Sequence, residues 1–494
     1  MAALMRTDRA RLAPLGLVFL ALSLAGCAVP LGPGYRLRHE DAVVHYQPAA
    51  ATRLRIRTKA VVLNAGDRPL GSLRIRLPRR FPAGARVEAS VAGRPVVAIS
   101  KTVAGRTQVD VPLRPLLPKR QTVDFRLEYP IQVPSSEFIL EAKDWFASFE
   151  PPHHLFARGH ARAERTRVSF LLPAGYSALM GGRSQGVQHG RPGRETEYRY
   201  VTGERDLAPF LAVGKFHEWS MSADDQTVSF WTLEPIGAGC ARTFADHLAA
   251  TARLYRSTFG RLSKHPHPIS VIEMPAGGGS QVRQIAGVFG SVPEGIVFST
   301  TPAELCGQPE RFFLPADQAL AATWFGWAVR PGPDARGILG GGAQRYMTLV
   351  AEESREGGAA QARQVKVWIG EYDRLGSQTK PIAPVQLGVQ APSAQRRMAG
   401  IQSALCLVAL QDRFGANVVR SGLAHLVRSL RDSTVGLDDL RSALEQEARH
   451  NLFDFFNEWL NRPGIPAAFL RRYGMPAPQR AYGQGSISSS RRAK

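Results

Sequence analysis

A few stretches of this 494-residue chain hold residue types at spacings that bear on chemistry. Gly182-Arg183-Ser184-Gln185-Gly186 has the form G-x-S-x-G, in which a serine nucleophile sits on a strand-to-helix elbow. A polar, Gly-rich run follows it instead of a helix, so a hairpin turn is expected. His153, His154 and His160 are close enough to suggest a metal, but no Cys and no ordered spacing supports them, and exposed loop positions are expected. Ala276-Gly277-Gly278-Gly279-Ser280 is a loop and not a phosphate cradle, since no Lys-Ser or Lys-Thr follows. Cys240 and Cys306 can pair in an oxidising compartment, a choice the sequence leaves open, whereas Cys406 lies in the apolar run 401–408 and reads as core.

The densest pattern is Asp317 to Gly326 together with Ile338 to Met347. Each reads as helix. Pro315 suits a first helical position. Leu320, Ala321, Trp324, Phe325 and Ala328 recur at spacings of three and four, as do Ala343, Tyr346, Met347 and Val350, so each helix has one buried face.

These helices resemble the catalytic pair of the gluzincin zinc aminopeptidases, the aminopeptidase N-like family. That family carries H-E-x-x-H before Trp-Phe-Gly, then Asn-Glu-Gly before an aromatic residue and Met. Two His one helical turn apart bind zinc and the Glu between them is the general base. Laid on this chain, the first His falls on Gln318, the base on Ala319, the second His on Ala322 and the third ligand, a Glu, on Gly341, with the family's interval kept. Trp324, Phe325, Gly326, Gly342, Tyr346 and Met347 match. Ala and Gly donate nothing to a metal, and Gln318 offers one neutral carbonyl oxygen. The resemblance therefore implies a retained scaffold without zinc, without a base and without a cofactor.

Two further positions follow from it. Gly290-Ser291-Val292-Pro293-Glu294-Gly295 occupies the place of the strand that pairs with substrate backbone, and the Glu that holds the peptide amine becomes Val292. Glu294, two residues on, falls on the same face of an ideal strand and can partly substitute there, but a turn carboxylate is the expected reading. The family's catalytic Tyr becomes Arg397, which either faces the vacated pocket, where it can bind a carboxylate, or is solvated.

The rest of the chain supplies the frame. Arg6, Arg9 and Arg11 precede an apolar run from Leu15 to Leu24, too short to span a membrane. Leu24-Ala25-Gly26-Cys27 then resembles the bacterial lipobox, which implies acylation of Cys27 and a membrane anchor. Ala28 rather than Asp after it implies the outer membrane, facing the periplasm, if the cell has two. The net charge of +22 is spread rather than blocked. It fits a solvated basic surface near anionic envelope components, and an exported lipoprotein is not expected to meet nucleic acid.

From Leu37 to Trp231 the period is two: Leu54/Ile56, Leu73/Ile75/Leu77, Val109/Val111/Leu113, Val123/Phe125/Leu127 and Val168/Phe170/Leu172 alternate, with Pro78, Pro112 and Pro173 expected at strand ends. Phe244, Leu248, Ala252 and Tyr255 then share a helix face, and Ile269 to Glu273 reads as a strand. Gly415 ends one later helix and Leu437 opens another. Phe455 to Leu460, followed by Pro463-Gly464-Ile465-Pro466, matches the family's closing signature. The expected class is α+β: an all-β domain, then a thermolysin-like, mainly helical, peptidase-like domain.

The expected divisions are 1–26 signal peptide, 27–36 linker, 37–231 β domain, 232–475 peptidase-like domain and 476–494 flexible tail. The resemblance covers about Leu37 to Phe469. It implies an envelope lipoprotein whose cleft binds a peptide or protein partner. The alternatives are a hydrolase acting through other residues and a structural component of an envelope complex. Oligomeric state is not implied.

Overall fold

The computed structural model describes residues 35–47, 53–77, 81–82, 85–103, 106–132, 139–142, 145–148, 158–159, 165–180, 183–189, 195–203, 211–223, 226–262, 269–273, 289–292, 295–298, 301–389 and 391–475. Cys27 with the targeting segment, Pro78, His153, His154, His160, the Ala276–Ser280 run, Pro293, Glu294 and the tail 476–494 lie outside the described residues. The chain falls into two compact units: 1–133 with 150–174 and 183–207, and 134–149 with 175–182 and 208–494.

The first unit is all β. An eight-stranded sheet runs Arg183–Gln188, Thr196–Gly203, Arg165–Leu172, Tyr35–Gln47, Arg53–Asn64, Thr122–Gln132, Glu88–Val91, Arg94–Val96. Its neighbours are antiparallel except Tyr35–Gln47 beside Arg165–Leu172. A second sheet orders Arg158–Gly159, Leu70–Arg76, Arg106–Leu117 and Ile99–Val103.

The alternation that announces these strands also sorts the charge. In Arg53–Asn64, Leu54, Ile56, Thr58, Ala60 and Val62 are buried while Arg55, Arg57 and Lys59 face water. Much of the basic character is thus the outer face of sheets.

Two expectations fail here. Pro112 lies inside Arg106–Leu117, opposite Ser72, and not at a strand end. The sheet tolerates it because pairing with Ile99–Val103 stops at Asp110 and the Leu70–Arg76 register breaks between Leu70 and Ser72. The Gly182–Gly186 motif forms no turn; Arg183–Gln188 is an edge strand, bulged between Ser184 and Gly186, with Gly186 at φ +104°. Among the described residues the next element is the strand Thr196–Gly203 and not a helix, so Ser184 lacks the strand-to-helix setting of an elbow nucleophile.

The second unit holds a small sheet of Ser177–Met180, Leu211–Gly214, Trp145–Ser148 and Ile139–Ala142, and a five-stranded sheet. The latter orders His217–Ala223, Gln226–Thr232, Ile269–Glu273, Gly295–Phe298 and Phe289–Val292. Its helices are α1 (Ala238–Phe259), α2 (Pro302–Gly307), α3 (Glu310–Ala321), α4 (Gln344–Glu356), α5 (Ala359–Gly376), α6 (Ser393–Phe414), α7 (Ala416–Ser429), α8 (Leu437–Ala448), α9 (Phe453–Leu460) and α10 (Ala467–Arg472).

Phe244, Leu248, Ala252 and Tyr255 are all buried on α1, as their spacing requires. Cys240 of α1 and Cys306 of α2 are disulfide-bonded, with Cα atoms 5.2 Å apart.

α6 is the axle of this unit. Every residue from Met398 to Val408 is buried, so it is enclosed all round rather than on one stripe. Cys406 is one of these core residues. Gln402, fully buried, uses its whole amide: Nε2 donates to Trp459 O and Arg462 O at 2.6 Å each, while Oε1 accepts from Tyr372 and Gly464 N at 3.1 Å each. These bonds hold the segment around Pro463-Gly464-Ile465-Pro466 against α6.

The chemically suggestive helices also differ from expectation. α3 begins at Glu310, so Pro315 is inside it, not at its first position, and it ends at Ala321. Trp324 and Phe325 lie in the turns that follow, still buried; Phe325 N reaches Ala321 O at 3.2 Å. Residues Ile338–Ala343 form a π-helix before α4. Gly342 N donates to Gly337 O at 3.0 Å, the wider spacing of that form, through a run of three glycines.

Candidate functional site

α3 presents Gln318 and Ala319, and Ala322 caps its end. Ala319 and Ala322 are buried; Gln318 is partly exposed. Opposite them stand the π-helix and α4. One turn beyond Gly341, Arg345 donates from Nη1 to Gln318 Oε1 at 3.0 Å. Its Nε is buried with no partner. Burial, and then the charge of Arg397, push its pKa down to about 10.

The position of Gly341 is set by backbone contact with α6. A Cβ on Gly341 would stand 2.9 Å from Gly400 Cα, and one on Gly342 would stand 2.5 Å from Ser403 Cβ. Only residues without side chains let the two helices approach this closely. Arg397, one turn before Gly400 on α6, is ion-paired with Glu371 of α5 and half exposed. The ion pair adds a partner that neither sequence alternative named, while the exposure of the side chain agrees with the solvated one.

Beneath Gln318 lies a buried polar knot that sequence reading missed. Asp317 is fully buried, and its Oδ1 meets His247 Nε2 at 2.8 Å and accepts from Thr251 at 2.9 Å. Its Oδ2 accepts from Arg355 Nη2 at 2.8 Å. The His247 ring stacks on Phe313, with centroids 3.8 Å apart. The knot ties α1, α3 and α4 together. Nearby Glu352 is pushed up to about 7, first by burial and then by Glu356. The available signal was an Asp within a helix otherwise apolar on that face, since unpaired carboxylates are seldom buried.

The segment from Gly290 to Phe298 is a hairpin rather than one strand: Phe289–Val292 pairs antiparallel with Gly295–Phe298, Val292 opposite Gly295. Val292 and Gly295 are paired, so the single continuous strand that the same-face alternative for Glu294 requires is not formed; Glu294 itself lies outside the described residues. Phe289–Val292, carrying Gly290, Ser291 and Val292, is the outer strand among those described, and α3 packs against it.

Solved structures resemble the chain over most of its length. A Glu-to-Ala variant of the M1 zinc metallopeptidase from Deinococcus radiodurans shares 18% identity at a TM-score of 0.59, covering 90% of this chain and 97% of that one. The unsubstituted enzyme gives 18% and 0.58, covering 90% and 96%. A two-domain M1 zinc metallopeptidase variant bound to L-arginine gives 18% and 0.61, again covering 90% and 96%. The chain has the M1 zinc metallopeptidase fold. No protein-family profile and no curated protein matches its sequence.

The M1 fold implies a zinc ion, which the resemblance places among Gln318, Ala322 and Gly341. The residues present do not fit it. Two of the three have no donor atom, and the third is an amide already engaged by a guanidinium, whose charge opposes a second cation. A carboxylate at 341 would need the space that Gly400 fills. Among the described residues no group of three or more His, Cys, Asp and Glu is placed to hold a metal ion.

Proposed function

We propose that the chain is a bacterial envelope lipoprotein, anchored through Cys27, that keeps the M1 fold without peptidase chemistry and binds a peptide or protein partner in the former catalytic cleft. The observation that carries this reading is the contact of Gly341 with Gly400, because it fills the third ligand's space with helix backbone. The loss of donors at 318, 319 and 322 points the same way. The Cys240–Cys306 disulfide supports an oxidising compartment, as an exported protein requires. The outer strand Phe289–Val292 supports peptide binding, since an extended chain adds to a sheet edge.

Hydrolysis through other residues has one observation in its favour, the His247–Asp317 pair. Among the described residues no Ser or Cys is hydrogen-bonded to His247, and Thr251 donates to the same carboxylate oxygen instead of to the imidazole. That arrangement suits a structural knot better than an activated nucleophile.

Metal analysis of the purified protein after incubation with zinc tests the reading. We expect no stoichiometric zinc, and no turnover of aminopeptidase substrates above a Gln318→Ala control. One tightly held zinc per chain, released on substituting Gln318, would sink it.

A further inference from the structure

We propose that Arg345 turns the cleft between α3, α4 and α6 into an oxyanion site that takes a carboxylate of a bound peptide. The inference deepens the partner-binding reading and rests on it.

The argument begins with a shortage of acceptors. A guanidinium carries five N–H donors in a rigid fork. Among the described residues Arg345 makes one hydrogen bond, to the neutral amide of Gln318, and its Nε is buried without a partner. Other arginines around this core face acids: Arg355 meets Asp317 at 2.8 Å, Arg420 meets Glu353 at 2.6 Å, and Arg397 pairs with Glu371. Arg345 has no carboxylate among the described residues. The charge that bears on it is a second cation, Arg397, and Glu371 neutralises only one of the two.

The Nε end of this guanidinium is buried without an acceptor, which is costly, and an anion drawn to the charge offsets part of that cost. Neutralisation by proton loss does not relieve it, because a pKa of about 10 leaves Arg345 charged at neutral pH. Arg345 and Gln318 are both partly exposed, so solvent reaches the pair. Gly400 carries no side chain where a Cβ would stand 3.6 Å from Arg345 Nε. A carboxylate suits the free part of the fork, accepting two parallel N–H bonds. The positive charge of a zinc site is thus supplied by a side chain, and an electrophilic centre becomes a binding one.

The carboxylate has two possible sources, a peptide C-terminus or an Asp or Glu side chain. The test uses three fluorescent pools of random heptapeptides on the purified full chain. One has free C-termini and no acidic residues, one is amidated but contains Asp and Glu, and one is amidated and free of acids. Binding of the first or second on the order of tenfold tighter than the third is expected, the size of a charge-assisted hydrogen bond. Whichever acid-bearing pool wins identifies the source.

Arg345→Met should bring the pools level while melting no lower than the parent, and Arg345→Lys should keep part of the preference. A preference that survives in Arg345→Met overturns the proposal. If that variant does not fold, acetate competition on the parent decides instead: acetate must displace the preferred pool, and failure to do so overturns the proposal. Equal binding of all three pools by the parent overturns the carboxylate site and leaves peptide binding standing. No binding of any pool overturns both.

Discussion

Replacing Gly341 with alanine adds one methyl group, and the structure puts it 2.9 Å from Gly400 Cα. Helix propensity favours the change by about 1 kcal/mol. Overpacking against backbone costs about 1–3 kcal/mol and has no flexible side chain to absorb it. The cost wins, so Gly341→Ala should melt below the parent and Gly341→Glu lower still. Parent-like melting of both, read by circular dichroism, would mean that α6 does not lie against this position. At this scale the absence of donor side chains at 319, 322 and 341 was legible, because side-chain chemistry is written in the residue name. The partners of Arg345, Arg397 and Asp317 were not. Each depends on which helix crosses which, and a charged residue on a helix ordinarily meets only water.

Among the elements, the α3 segment was legible as an apolar face but not as a helix of known ends. Its periodicity continues through Trp324 and Phe325 even though the helix stops at Ala321, since tight turns keep the same residues inward. The π-turn at Ile338–Ala343 and the reversal after Val292 were hidden because they arise from a close helix crossing and from strand pairing, not from local preference. Trp324 anchors the turn: it is buried, its Nε1 donates to Gly260 O at 2.9 Å, and its ring meets Tyr255 edge-on at 5.5 Å between centroids. Trp324→Ala should cost about 3–5 kcal/mol. Gln318→Ala should cost much less, since it removes one partly exposed hydrogen bond. Equal melting of the two variants would show that this stretch is not the scaffold described.

For the whole molecule, the all-β part and the helical part were legible from a change of period near Trp231, and the final fold from the closing signature through Pro466. Anchoring belongs to this scale. Cys27→Ser removes the only thiol the lipobox can acylate, so the variant should stay unprocessed or leave the membrane fraction, and in either case lose acyl labelling; unchanged fractionation together with unchanged acyl labelling would refute the lipobox reading. The contact between Gly341 and Gly400 has one more consequence. Three point changes would restore two His and a Glu on α3, but the remaining ligand is barred by a neighbouring helix rather than by its own codon. Building a zinc site here therefore requires α6 to give ground first, at a loss of stability. Packing at one glycine, more than the chemistry of any single side chain, thus sets how far this fold is from a metal site.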